Sequence, residues 1–134
     1  EIEKGTYDVV IMNYANPDMI GHTGNLEAAV KAIKVVDQCL GQVVKAVQNA
    51  GGVTIVTSDH GNCETMVDEE TGQPHTAHTT NQVPFILVGE AYRGKSLKPR
   101  GSLRDIAPTM LSILGLPIPK EMTGENLICR VKNE

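Results

Sequence analysis

Metal-ligand side chains crowd into three short polar stretches of this chain. They are Asp18 and His22 in NYANPDMIGHTGN, Asp59 and His60 in TIVTSDHGN, and the two histidines His75 and His78 of PHTAHTTN. Carboxylate and imidazole are ligands for hard and borderline divalent ions. The first two pairs each sit where an apolar run gives way to Gly/Asn-rich sequence. That is the strand-end setting in which α/β proteins usually place reactive groups. Asp18 and His22 have the spacing of one helical turn, and Pro17 with Gly21 favours a loop containing a single turn that would put both on one side. One carboxylate and one imidazole still need a third donor, and in a polar loop such a pair is also an ordinary surface combination. Asp59 and His60 are adjacent, so both reach one ion only if the backbone turns there, which Gly61 and Asn62 permit. The plainer alternative has Asp59 capping a turn and His60 bonded to backbone, although two ionisable groups at a strand's end are costly to bury unpaired. Either His75 or His78 could complete the Asp18–His22 set; spacing does not choose between them.

Two carboxylate–imidazole sets point to a borderline ion such as Mn²⁺ or Zn²⁺ rather than Ca²⁺, which prefers oxygen alone. A pair of such ions suits phosphoryl transfer, where they activate an attacking oxygen and screen phosphate charge. No glycine-rich P-loop is present. Cys39, Cys63 and Cys129 are widely spaced with no CxxC, which fits a reducing cytoplasm better than a disulfide framework. Cys63 lies close to Asp59 and His60, but hard ligands dominate around it, so an ordinary thiol is expected there.

The elements that position these residues follow from periodicity. Residues 7–13 (YDVVIMN) read as a buried strand. From about 25 to 49, Leu26, Val30, Ile33, Val36, Leu40, Val43, Val44 and Val47 recur at three- and four-residue steps, an amphipathic helix with Thr23 or Asn25 as cap and Gly51–Gly52 as stop. Residues 53–58 (VTIVTS) read as the next strand, so strand–helix–strand predicts a parallel crossover. Residues 68–73 look like a hairpin turn between short extended arms. Residues 83–89 (VPFILVG) form a third strand, with Pro84 at its start or on an edge. Residues 104–114 read as a helix with Asp105 near its N-terminus and Pro108 in its first turn, ended by Gly115 and Pro117. The stretch 90–103 reads as irregular, and no period is visible after Pro119.

The whole is an α/β chain of 134 residues, 40% hydrophobic and 21% charged, with no Trp and one Phe. A net charge of −4 without a Lys/Arg cluster argues against nucleic-acid binding. The apolar runs are too short to cross a bilayer, and the charged opening 1–4 is unlike a secretory leader.

NYANPDMIGHTGN, TSDHGNCE, HTAHTTNQVPFILV and LRDIAPTMLSILGLPIPKEMTG, in that order, closely resemble the C-terminal part of the cofactor-independent (2,3-bisphosphoglycerate-independent) phosphoglycerate mutases. These belong to the alkaline-phosphatase-like superfamily of metalloenzymes. The resemblance covers nearly the whole chain; TSDHGN alone would indicate only the superfamily. It implies a three-layer α/β/α fold with a mostly parallel sheet, here incomplete, residues 1–134 being the C-terminal portion of a metal-binding phosphatase-like domain. It implies two Mn²⁺ ions (Mg²⁺, Zn²⁺ or Co²⁺ in some members), one held by Asp18, His22 and His78 and the other by Asp59 and His60. His78, in AHTTN, matches the family histidine better than His75. The implied reaction is interconversion of 3- and 2-phosphoglycerate through a phosphoserine, a step of glycolysis and gluconeogenesis in the cytoplasm.

In that family a further aspartate, the nucleophilic serine and the substrate-gripping arginines and lysine all precede the region that matches here. Ser58, Ser96, Ser102 and Ser112 are the chain's serines, and none matches the nucleophile segment. The expectation is therefore a piece that supplies metal ligands, carries no catalytic residue and is inactive alone. The full-length family member is expected to be a monomer acting on phosphoglycerate, and the piece to self-associate through an unpaired sheet edge. Another phosphomutase or phosphatase of the same superfamily, or a non-catalytic metal-binding module, are the alternatives.

Overall fold

The structure, a computed structural model, describes residues 1–129; the last five residues of the span expected to form one domain portion lie outside that range. The described chain mixes helix and strand and falls into two compact units, Glu1–Ala91 and a second beginning at Tyr92.

In the first unit, Pro17 occupies the first turn of a short helix, α1 (Asn16–Gly21), as its fixed φ and missing N–H allow. The long helix predicted from the apolar period is α2 (Leu26–Asn49). Asn25 is its cap, extended in backbone, its side chain accepting from the Ala28 N–H at 3.0 Å. Gly51 ends it with φ +72°, a left-handed conformation that costs glycine little. Ala29 is buried, whereas Leu26, Val30 and Ile33 on the same stripe are exposed.

Strands β1 (Thr54–Thr57) and β2 (Phe85–Val88) pair antiparallel, Thr54 opposite Val88 and Thr57 opposite Phe85. The described residues hold this single two-stranded sheet, so the parallel crossover expected from 7–13 through α2 to 53–58 is not formed among them. Residues 7–13 form no strand. Their composition suits one, but no described backbone group bonds theirs, and a strand without a neighbour has no ladder. Tyr7, Val9, Val10, Ile11 and Met12 are exposed as a result. The hairpin expected at 68–73 is present: Val67 bridges Pro74, and Asp68 Oδ1 accepts from the Glu70 N–H, the Thr71 N–H and the Thr71 hydroxyl.

The second unit is built around α3 (Ile106–Ile113), entered through a 3₁₀ turn (Leu103–Asp105). Asp105 is buried and fully engaged. Its Oδ2 accepts from the Ser102 N–H at 2.7 Å and the Ser102 hydroxyl at 3.0 Å, and its Oδ1 from the Glu125 N–H at 2.9 Å. One turn on, the buried Thr109 hydroxyl donates to the Asp105 carbonyl and accepts from the Leu127 N–H. The tail thereby docks on the helix, and Leu97 bridges Ile128, pairing that the aperiodic sequence at both places did not reveal.

Backbone N–H groups of Glu125 and Ser102 hold the Asp105 carboxyl below its ordinary range, outweighing burial, which raises it. A depressed folded value contributes stability above the unfolded value of about 4, lost as pH falls through the folded value. Asp105→Asn is therefore expected to flatten the acid limb of a plot of melting temperature against pH. Asp105→Ala should cost about 2 kcal/mol at neutral pH, since it strands buried donors. An unchanged acid limb in the Asn variant would refute the assignment.

Candidate metal centre

Each site segment is delivered by one of these elements. Helix α1 carries Asp18 in its first turn and ends at His22, whose N–H bonds the Asp18 carbonyl. One turn thus sets the two side chains side by side, His22 Nε2 lying 3.3 Å from Asp18 Oδ1. Beyond the end of β1 the chain carries Asp59 and His60, then bridges back at Gly61, which pairs antiparallel with Thr79. Residues flanking such a bridge face the same side, which brings His60 and His78 together with rings stacked at 3.7 Å between centroids.

The result is a cluster centred on one carboxylate oxygen. Asp18 Oδ1 lies 2.9 Å from His78 Nε2, 3.3 Å from His22 Nε2 and 3.8 Å from His60 Nε2. His22 and His78 Nε2 are 3.1 Å apart. Asp18, His60 and His78 each offer a ligand atom within 4.8 Å of the others. The sequence grouping kept His60 with Asp59 and apart from Asp18. The structure instead places His60 Nε2 almost equally far from both, 3.7 Å from Asp59 Oδ1. Asp59 is the most exposed member. His75 is not in the cluster: its backbone N–H bonds Met66 in the hairpin arm.

The donor chemistry fits a cation. His22 Nδ1 lies 2.7 Å from the Thr76 carbonyl, an acceptor only, so that nitrogen carries the proton of the neutral ring. Nε2 is then a lone pair aimed at a carboxylate oxygen and at a second imidazole nitrogen. His60 follows the same pattern, Nδ1 facing the Gly61 carbonyl at 3.3 Å. Lone pairs and a carboxylate facing one another repel unless a positive charge lies among them. Donors about 2.1 Å from a shared ion and about a right angle apart lie about 3 Å from each other, the separation found among Asp18, His22 and His78. The backbone carbonyl behind a ligating imidazole is the usual second partner in such sites. Burial raises the Asp18 carboxyl, but the Asn62 hydrogen bond leads the interactions that bring it below its ordinary value, keeping it ionised.

Other polar groups nearby have structural work. The Cys63 thiol donates to the Pro17 carbonyl at 2.8 Å, and burial pushes it up, so it is a protonated tether between loop and helix. The Ser58 hydroxyl donates to the His60 carbonyl. Sequence reasoning missed Glu64. Its carboxylate accepts from the Asn62 N–H at 2.6 Å, from Asn81 Nδ2 at 3.0 Å and from the Thr79 hydroxyl, clamping the 59–64 loop to the 78–81 segment. Its place in TSDHGNCE beside the ligands was the available signal.

A family model for the metalloenzyme superfamily matches residues 1–118, and the chain belongs to that superfamily. Within it, the chain is 58% identical over 128 residues to the 2,3-bisphosphoglycerate-independent phosphoglycerate mutase of Rhodopirellula baltica, covering 96% of this chain and 24% of that protein. It is 61% identical over 127 residues to the enzyme of the same name from Desulforudis audaxviator, covering 95% and 24%. Its structure superposes with a TM-score of 0.83 and 31% identity on a Leishmania mexicana phosphoglycerate mutase crystallised at low cobalt concentration, over 96% of this chain and 26% of that one. The chain spans about a quarter of the length of the curated relatives it matches.

Proposed function

We propose that this chain is the metal-holding portion of a cytoplasmic, glycolytic phosphoglycerate mutase that interconverts 3- and 2-phosphoglycerate through a phosphoserine. The observation that carries the reading is the convergence of three separate segments on Asp18 Oδ1, in a chain more than half identical to enzymes of that name. Asp18, His22 and His78 would hold one divalent ion, and Asp59 and His60 would hold a second, with His60 near enough to Asp18 to lie between the two. Mn²⁺ is the first choice, with Mg²⁺, Zn²⁺ and Co²⁺ as substitutes. Bound there, such ions supply a Lewis acid for phosphate charge and for an attacking oxygen. The chain's own contribution is to orient. Thr76 fixes the His22 tautomer, the Gly61–Thr79 bridge places His60 beside His78, and the Asn62 and Glu64 hydrogen bonds set the carboxylate and the loop. The hydroxyl that takes the phosphoryl group is assigned to a part of the mutase beyond this stretch.

The chain alone is expected to bind Mn²⁺ and to give no turnover in a coupled 3-phosphoglycerate assay. Mutase turnover by the isolated chain would overturn the division of labour, and failure to bind any divalent ion would overturn the metal assignment.

A further inference from the structure

Asn62 is a buried polar side chain, 6% exposed, whose amide points at the metal cluster rather than to solvent. Its Nδ2 donates to Asp18 Oδ1 at 2.8 Å and also lies 3.4 Å from the Asp18 carbonyl. The oxygen it holds is the one that all three histidine Nε2 atoms face. Asn62 is itself fixed from behind, since its N–H donates to Glu64, which Asn81 and Thr79 hold in turn. It also fills the space where Gly21 lacks a side chain: a Cβ there would overlap its amide oxygen and lie 2.6 Å from its Cγ. Helix α1, the 62–64 loop and residues 79–81, three pieces distant in sequence, are therefore linked through Asn62 and Glu64.

We propose that Asn62 is a positioning residue for the metal centre, acting through Asp18. By donating to Oδ1 from the protein side it takes one lone-pair direction of that oxygen and fixes the carboxylate rotamer. The remaining direction is left for a cation among His22, His60 and His78. The carboxylate then binds through a single oxygen. Without the amide donor it is free to rotate and chelate through both oxygens or to turn toward solvent, and the ligand set loosens. The inference rests on the metal-binding reading above and adds what makes that binding tight and its geometry unique.

The test is Co²⁺ titration of the full chain, followed by its visible ligand-field spectrum and by isothermal calorimetry, for the wild type, Asn62→Ala and Asn62→Leu. The Leu variant keeps close to the shape but offers neither a donor nor a charge. Affinity is expected to fall about 10- to 100-fold in both variants, the usual effect of losing a second partner to a metal ligand. The spectrum of the residual complex should shift as coordination number changes, which a loss of packing alone would not produce. If the Ala variant does not fold by far-UV circular dichroism, the Leu variant decides. Wild-type affinity and spectrum in Asn62→Leu would overturn the positioning role and leave the metal assignment intact. A wild-type chain that takes up no Co²⁺ would overturn both.

Discussion

Replacing Asp18 by alanine should abolish divalent-ion binding at this centre. The expected loss in Mn²⁺ or Co²⁺ affinity exceeds the roughly 10- to 100-fold that removing a hydrogen-bond partner of a ligand costs, because a ligand itself is gone. The size of the effect follows from the geometry. His22, His60 and His78 each approach the same oxygen, so its removal takes away the one anionic donor that they share. His75→Ala should leave binding unchanged, since His75 sits in the hairpin arm. Calorimetric titration of both variants checks this. Equal losses in the two would mean that the PHTAHTTN segment acts as a whole, and that the distances around Asp18 do not identify the ligand set.

The second large effect concerns a residue with no side chain. Gly21→Ala inserts a Cβ into space that the Asn62 amide already fills. Overpacking of this kind costs about 1–3 kcal/mol, and relief requires Asn62 to move off Asp18. The variant should therefore lose stability in a denaturant titration and lose metal affinity with it. Gly41→Ala is the contrasting substitution. It lies within α2, and a Cβ there meets nothing within 4 Å. Alanine in an open helix interior gains up to about 1 kcal/mol over glycine, so this variant should be slightly more stable and bind metal as before. Were both glycine variants to behave alike, helix propensity rather than the Asn62 contact would account for the effect.

Much of the scaffold was legible because local chemistry settles it. Helix α2 announces itself by a three- and four-residue apolar period, a cap at Thr23 or Asn25 and a Gly stop, and the structure makes Asn25 the cap. The Asp68 turn is equally local, since it depends on a side chain bonding backbone within three residues. What could not be read was pairing. Residues 7–13 and 54–57 have similar composition, yet only the second finds a partner, and the partner runs antiparallel. β-propensity records how well a side chain suits a pleated surface, not which neighbour will supply the ladder.

The candidate site divides along the same line. Asp18 and His22 are one helical turn apart, so their approach is a local consequence of spacing. His78 was selected over His75 by family resemblance, not by spacing. The nearness of His60 to Asp18 depends on the Gly61–Thr79 bridge, a tertiary pairing with no periodic signature. Asn62 was noticed only as a residue that lets the backbone turn; that its amide holds Asp18 emerges only when α1 and the 59–64 loop are brought together.

The most direct test is anomalous scattering from crystals of the chain grown or soaked with Mn²⁺, recorded at the manganese edge. A peak about 2.1–2.2 Å from one oxygen of Asp18 and from the Nε2 atoms of His22 and His78 is the predicted result. Manganese bound elsewhere while those three side chains remain unligated would contradict the account.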